Sequence, residues 1–303
     1  MVGMEKKNLV AVLAIWTMSS ITSTFCCGQS VKRVLFLGNS VWDYKGGVHQ
    51  PFLGFCETAG LEFEAVSQMR EHENAHGVEF LDFGRIPLSL PGVAGDERIL
   101  SLIQSGGYDY VIVEARRSGY LLPEWVNIPD DRGSSIPFQE NMEALGKIHR
   151  TIVESGGQTV LYMHPGLHTL ERYRLPVAQI YERLHSGLEE MKIGGRRHRV
   201  ILVPARFLWG DAVKKYGVEG WYANPGHGNA LARYASGCML YTYLTGEDPR
   251  ENRFTGLPLD WDQAENSPVV QVPQEDADWI KSQVWLYYST GEIELWNCRA
   301  LHV

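Results

Sequence analysis

Ser40 is the first residue of this chain whose type and place suit it to chemistry. It closes Leu37-Gly38-Asn39-Ser40, straight after the apolar run Val34 to Leu37. Gly38 lets the backbone turn sharply there and sets a serine at the start of the next helix. A hydroxyl attacks a carbonyl only when a base takes its proton, so a histidine must reach it. Of ten histidines, His227 is singled out by position. Asn224-Pro225-Gly226-His227-Gly228-Asn229 is a turn-rich stretch after the last strand-like run and directly before a helix. A histidine on a mobile, glycine-flanked loop can lean over Ser40, and the two together make a serine nucleophile with its general base. Taken singly, Ser40 also reads as a turn serine capping a helix, and His227 as a solvated loop histidine.

In an open parallel sheet, ligands bind beyond the carboxyl ends of the strands, so residues just after the other strands are the next candidates. Glu114 ends the third apolar run and Arg116 follows it; both suit substrate binding, and both equally suit a structural ion pair. Met163-His164-Pro165-Gly166-Leu167-His168 ends the fourth run and offers His164 and His168 to a substrate. The aromatic stretch Tyr120 to Trp125 suits either a sugar-facing wall or core packing. His72, His76, His164 and His168 lack the carboxylate-rich spacing of a metal site, and no glycine-rich phosphate loop follows the first strand. No metal and no cofactor are expected.

The elements that must position these residues alternate. Strands are expected over Val34–Leu37, Phe63–Val66, Tyr110–Val113, Thr159–Met163 and Val200–Val203, each a short run rich in β-branched or aromatic residues. Helices are expected over Val48–Ala59, Gly95–Gln104, Phe138–Glu154 and Leu175–Met191, then over Ala230–Leu244 with Gly246 and Pro249 as its stop. A last helix, Gln274–Tyr288, follows Pro273 and is expected to pack on the sheet. Such alternation implies an α/β domain with a parallel sheet covered on both faces.

The bulk properties narrow the setting. The chain has 303 residues and a formal net charge of −8, which disfavours nucleic acid and anionic membranes as partners. Glu5-Lys6-Lys7, the apolar run Leu9 to Met18 and the small residues after it resemble a secretory signal. Residues 1–28 are therefore expected to be a signal peptide and 29–303 a single domain, secreted or periplasmic, with no membrane span in the mature protein. Cys26 and Cys27 stand where a lipoprotein signal would be acylated. Cys56, Cys238 and Cys298 remain, an odd and widely spaced set with no disulfide framework, and Cys238 reads as core.

Leu35-Phe36-Leu37-Gly38-Asn39-Ser40 resembles the first block of the SGNH/GDSL esterases, in its Gly-Asn-Ser form. Asn224-Pro225-Gly226-His227 resembles the last block, where an acid stands three residues before the catalytic histidine. Val203-Pro204-Ala205 and the stretch from Arg233-Tyr234 to Gly246 are similar to the flanks of that block in the carbohydrate-associated branch. The resemblance spans about Val34 to Pro249 and implies a flavodoxin-like three-layer α/β/α sandwich with a five-stranded parallel sheet. It implies Ser40 as nucleophile and His227 as base, with an oxyanion hole from the Ser40 N–H, a glycine after the second strand and a polar side chain after the third. Gly77 is the first glycine after the second strand, with Gly92 and Gly95 as alternatives. The third-strand segment has no asparagine, and Ser118 falls at that place.

Asn224 stands where the family has aspartate. In the serine protease triad the equivalent change costs about 10⁴ in turnover, so a backbone carbonyl, Asp211 or Glu219 would have to orient His227 instead. The expected function is hydrolysis of a small acyl ester, such as acetyl on carbohydrate. An alternative is a carbohydrate-binding protein that keeps the pocket without turnover.

Overall fold

A computed structural model describes residues 30–37, 47–67, 94–114, 138–163, 174–224, 227–258 and 269–291. In chain order the elements are β1 (Lys32–Leu37), α1 (His49–Thr58), β2 (Phe63–Ser67), α2 (Ala94–Gly106), β3 (Tyr110–Glu114), α3 (Phe138–Glu154), β4 (Gln158–Tyr162) and α4 (Arg174–Glu190). A small hairpin follows, β5 (Lys192–Ile193) with β6 (Arg196–Arg197), and then β7 (Ile201–Val203) and α5 (Ala205–Trp221). The hairpin β8 (Tyr222–Asn224) and β9 (His227–Gly228) leads into α6 (Ala230–Thr245) and a 3-10 turn (Pro249–Glu251). The pair β10 (Gly256–Pro258) and β11 (Val269–Gln271) precedes α7 (Gln274–Thr290).

The main sheet has the order β2-β1-β3-β4-β7, all parallel. The alternating pattern implied the parallel sheet, and the order is the flavodoxin-like one that the family resemblance implied. From β1 the chain steps outward to β2, then jumps back over β1 to β3 and continues through β4 to β7. Right-handed crossovers put α1 on one face and α2, α3 and α4 on the other, and the packing agrees. α1 lies against α6 and α6 against α7, while α2 packs on α3 and α3 on α4. Val34 to Leu37 are all buried, as are Val160 to Tyr162. Strands sealed on both faces explain why they read as unbroken apolar runs.

Charge marks the amino edge of the sheet. Asp109 accepts from Lys32 Nζ at 2.7 Å and from the Arg33 N–H at 2.8 Å. Its own backbone bonds the Arg33 carbonyl and the Gln158 N–H, so one residue joins β1, β3 and β4. Burial works against the Asp109 charge, yet the Lys32 and Arg33 hydrogen bonds hold its carboxyl below the usual range. The carboxyl edge lies at Leu37, Glu114 and Val203, and the order of the chain reverses between β1 and β3, the place where open parallel sheets generally bind ligands.

Three elements differ from the sequence reading. A 17-residue helix, α5, stands between the last strand and the His227 stretch, where no element was expected. Its glycines hid it; Gly217, at φ +75°, kinks it near its end. The residues on either side of the turn at His227 form a short antiparallel strand pair, where no strand was expected. The last helix packs chiefly on α6 and the 3-10 turn, outside the layer in which it was expected.

His149 of α3 is fully buried with Nδ1 2.8 Å from the Thr159 hydroxyl, and among the described residues Nε2 has no hydrogen-bond partner. Burial, reinforced by nearby His198, pulls its pKa down to about 4. Below pH 6.5 the unfolded chain takes up a proton that the folded one refuses, so stability falls as pH drops from about 6.5 to about 4. The loss at pH 4 from this ring is on the order of 3 kcal/mol. Urea unfolding across that range should show the slope, and His149→Gln should flatten it.

Candidate active site

His227 is positioned from below by residues of small size and fixed shape. The hairpin register pairs Tyr222 with Gly228 and Asn224 with His227, with an irregularity between residues 222 and 224. Gly228 is wedged over α5: a Cβ there would lie 2.4 Å from the Trp209 ring and 2.6 Å from Ala232 Cβ. Asn229 then locks the hairpin to both flanking helices. Its side chain accepts from the Ala232 N–H at 3.1 Å, capping α6, and donates to the Gly220 carbonyl at 2.8 Å. Its own N–H donates to the Trp221 carbonyl at 3.0 Å.

Beneath the hairpin lies an aromatic floor. Trp209 meets Trp221 edge to face at 5.9 Å and Tyr222 at 5.3 Å, while Tyr216 stacks on Trp221 and meets Trp279. Trp209 Nε1 donates to the Ser236 hydroxyl at 3.2 Å, and Ser236 donates to the Ala232 carbonyl at 3.0 Å. Rigid rings at these angles leave little freedom for the backbone that carries His227.

The direction of α6 decides where that backbone stands. Tyr110 begins β3, and its hydroxyl donates to the Leu244 carbonyl at 3.4 Å. The C-terminal end of α6 is therefore at the amino edge of the sheet. Its N-terminal end, with His227 just before it, is at the carboxyl edge, where β1 ends at Leu37.

The sequence-predicted residues fall into two groups. His227 is half-buried in β9, Asn224 ends β8 opposite it, and Glu114 ends β3 in register with Tyr162 at the carboxyl edge. Ser40, Gly77, Arg116, Ser118 and His164 lie outside the described residues, as does Gly92, while Gly95 is in the first turn of α2. Of the carboxylates considered for orienting His227, Asp211 accepts from Lys214 at 3.2 Å and from the Tyr287 hydroxyl, and Glu219 is exposed. Burial pushes the Cys56 thiol up to about 12 and raises that of Cys238 as well, so neither is a nucleophile near neutral pH. Among the described residues no group of three His, Cys, Asp or Glu side chains could hold a metal ion, and no helix is long and apolar enough to cross a membrane.

Sequence reasoning missed what holds the histidine. Asn229 before an Ala-Leu-Ala helix start is a legible cap signal. The wedge at Gly228 is not legible, because its cause is Trp209, nineteen positions earlier. Arg206 and Arg233, both buried and both in first helical turns, also went unremarked.

No family model matches the chain, and no curated protein matches it. Among solved structures, the chain is similar to a DUF4886 family protein from Bacteroides uniformis, with 11% identity over 86% of this chain and 96% of that one and a TM-score of 0.53. It is also similar to TesA, with 14% identity over 71% of this chain and 99% of that one and a TM-score of 0.48. A variant of Axe2, an acetyl-xylooligosaccharide esterase from Geobacillus, covers 74% of this chain and 94% of its own at 13% identity and a TM-score of 0.40. The first likeness is one of fold: a whole α/β domain of this architecture.

Gly228→Ala should force Trp209 or the hairpin to move and cost about 1–3 kcal/mol in chemical unfolding. Asn229→Ala should cost about 1 kcal/mol through the lost cap.

Proposed function

We propose that the chain is a serine esterase that removes a small acyl group, such as acetyl, from a carbohydrate outside the cytoplasm. The observation that carries this reading is the setting of His227. Its hairpin stands at the carboxyl edge of the sheet, on the α1 side, and Ser40 follows the end of β1 by only three residues. Chain length alone keeps Ser40 within about 11 Å of Leu37, and this is the switch strand of the sheet.

In this mechanism Ser40 Oγ attacks the ester carbonyl carbon while a ring nitrogen of His227 takes the hydroxyl proton. The resulting oxyanion is held by backbone N–H donors, for which Ser40 and Gly77 are the candidates, and by the Ser118 hydroxyl. Collapse expels the alcohol, which receives the proton from His227. Water then repeats the sequence on the acyl-serine, with His227 again as base, and releases the acid. Glu114, at the end of β3, and Arg116 and His164 beyond strands β3 and β4 are the proposed substrate contacts.

Asn224 favours a second reading, a carbohydrate-binding protein of the same fold without turnover. An amide can orient an imidazole but does not stabilise its cation as a carboxylate does. The two readings separate on p-nitrophenyl acetate with residues 1–28 removed. The parent should hydrolyse the ester and Ser40→Ala should fall to the buffer rate; equal rates in both would sink the esterase. Asn224→Asp should raise turnover, by as much as about 10⁴-fold if the lost acid is the whole deficit.

A further inference from the structure

We infer that the basic hairpin of β5 and β6 is a docking surface for an acidic polysaccharide, a polymer that carries uronate carboxylates along its chain; the choice of a sugar polymer rests on the carbohydrate-esterase reading. The hairpin and the residues after it run Lys192-Ile193-Gly194-Gly195-Arg196-Arg197-His198-Arg199, with four Lys or Arg side chains and no carboxylate. In a chain with a net charge of −8 this is a local reversal of sign. Lys192, Arg196, Arg197 and Arg199 are all exposed.

The fold gathers these charges and holds them clear of the body. Gly194 and Gly195 have φ of +58° and +80°, the two left-handed positions that a two-residue type I′ hairpin turn requires. A Cβ on either would meet nothing within 4 Å, so the turn stands in open space. Behind it Ile193 is buried, and His198 Nε2 lies 3.2 Å from the Ile193 carbonyl, which ties down the base of the hairpin. The register pairs Lys192 with Arg197 and Ile193 with Arg196. Side chains alternate along a strand, so Lys192 and Arg197 share the face turned away from the buried Ile193. Like charges directly opposite each other destabilise a strand pair, and this turn imposes them.

Among the described residues none of the four cations is in an ion pair, in contrast to Lys32 and Arg33 at the start of β1. Glu189, at the end of α4, accepts from the Val200 N–H at 3.1 Å and lies 3.5 Å from His185. Glu190 beside it is exposed and sets one charge against four.

Placement selects the partner. The hairpin joins the end of α4 to the start of β7, so it stands at the amino edge, opposite the edge that carries His227. An anionic bilayer laid against that edge would also meet the exposed carboxylates of Glu62, Glu154 and Glu190. The hairpin offers it no apolar side chain, since Ile193 is buried. A polymer strand can touch the hairpin alone. Single-stranded nucleic acid is such a strand, but it is held by aromatic faces that stack on its bases, and residues 192–199 contain no Phe, Tyr or Trp. Uronate carboxylates suit the three arginines, whose planar forks bond a carboxylate through two N–H groups at once. Cross-strand positions about 5 Å apart are on the scale of one sugar unit.

The test measures binding of the whole protein to polygalacturonate, neutral dextran, phosphatidylglycerol vesicles and single-stranded DNA, with thermal melts to confirm folding. The parent should bind polygalacturonate and not dextran, and should weaken by at least about tenfold between about 50 and 200 mM NaCl, as pairing with a polyanion requires. The triple variant Arg196→Gln, Arg197→Gln, Arg199→Gln should bind polygalacturonate at least about tenfold more weakly. Arg197→Glu carries the same test if the triple variant melts early. A variant as tight as the parent, a parent that does not bind, or equal binding to dextran would overturn the docking surface. Tighter binding to vesicles or DNA than to polygalacturonate would overturn the sugar polymer as its partner. A parent no faster than Ser40→Ala on p-nitrophenyl acetate would sink the esterase, and the binding result, which needs no turnover, would decide the hairpin by itself.

Discussion

Gly237 lets α6 approach α1 until backbone meets side chain and backbone: Phe52 N and the Pro51 ring occupy the space that a side chain would need. Around this contact the layer is built from rings. Phe55 of α1 packs against Tyr234 and Tyr241 of α6 and against Phe254 beyond it, and Gly54 gives that Phe254 ring room. Lys281 of α7 is buried and donates to the Asn252 carbonyl at 2.5 Å, while Asn252 Nδ2 donates to the Phe55 carbonyl at 2.8 Å. Burial lowers the lysine's pKa, so the ammonium is held there at a cost that its one backbone acceptor offsets in part. Because both helices begin at the carboxyl edge, whatever fixes their contact also fixes the spacing of the residues at their starts.

The two edges of the sheet do different work. At the amino edge, Asp109 binds three strands and carries an ion pair with Lys32, and the Arg33 guanidinium lies over Tyr108. Those charges are spent on pairing. At the carboxyl edge the described residues present a half-buried histidine on a hairpin and the end of the switch strand. Gly228 cannot gain a side chain without meeting Trp209, and Asn229 is bonded on both sides, so the imidazole is delivered by backbone with few alternatives.

Much of this was legible in the residues. The five parallel strands announced themselves as short apolar runs because both faces are covered, and Phe138–Glu154 matches its expected bounds since its apolar positions repeat at helical spacing. Helix α5 was not legible: Pro204 precedes it, and Gly210, Gly217 and Gly220 punctuate it, so local preference pointed to turn while Trp209 and Trp221 packing imposed helix. The strands of two or three residues, β5, β6, β8 and β9, are too short for a period to show. His227 was singled out by the turn chemistry around it, and the chain does reverse there.

Asn224 is the point of strain in the account. The ladder sets residue 224 opposite His227, and Asp211 is engaged by Lys214 and Tyr287. On the proposed esterase reading, a base without a carboxylate partner suits slow turnover of an activated ester better than fast turnover of a hindered one. The direct measurement is a crystal structure of the protein with a phosphonate bound covalently at Ser40. The account predicts a ring nitrogen of His227 within about 3–4 Å of Ser40 Oγ; His164 nearer than His227, or no reaction at Ser40, would contradict it.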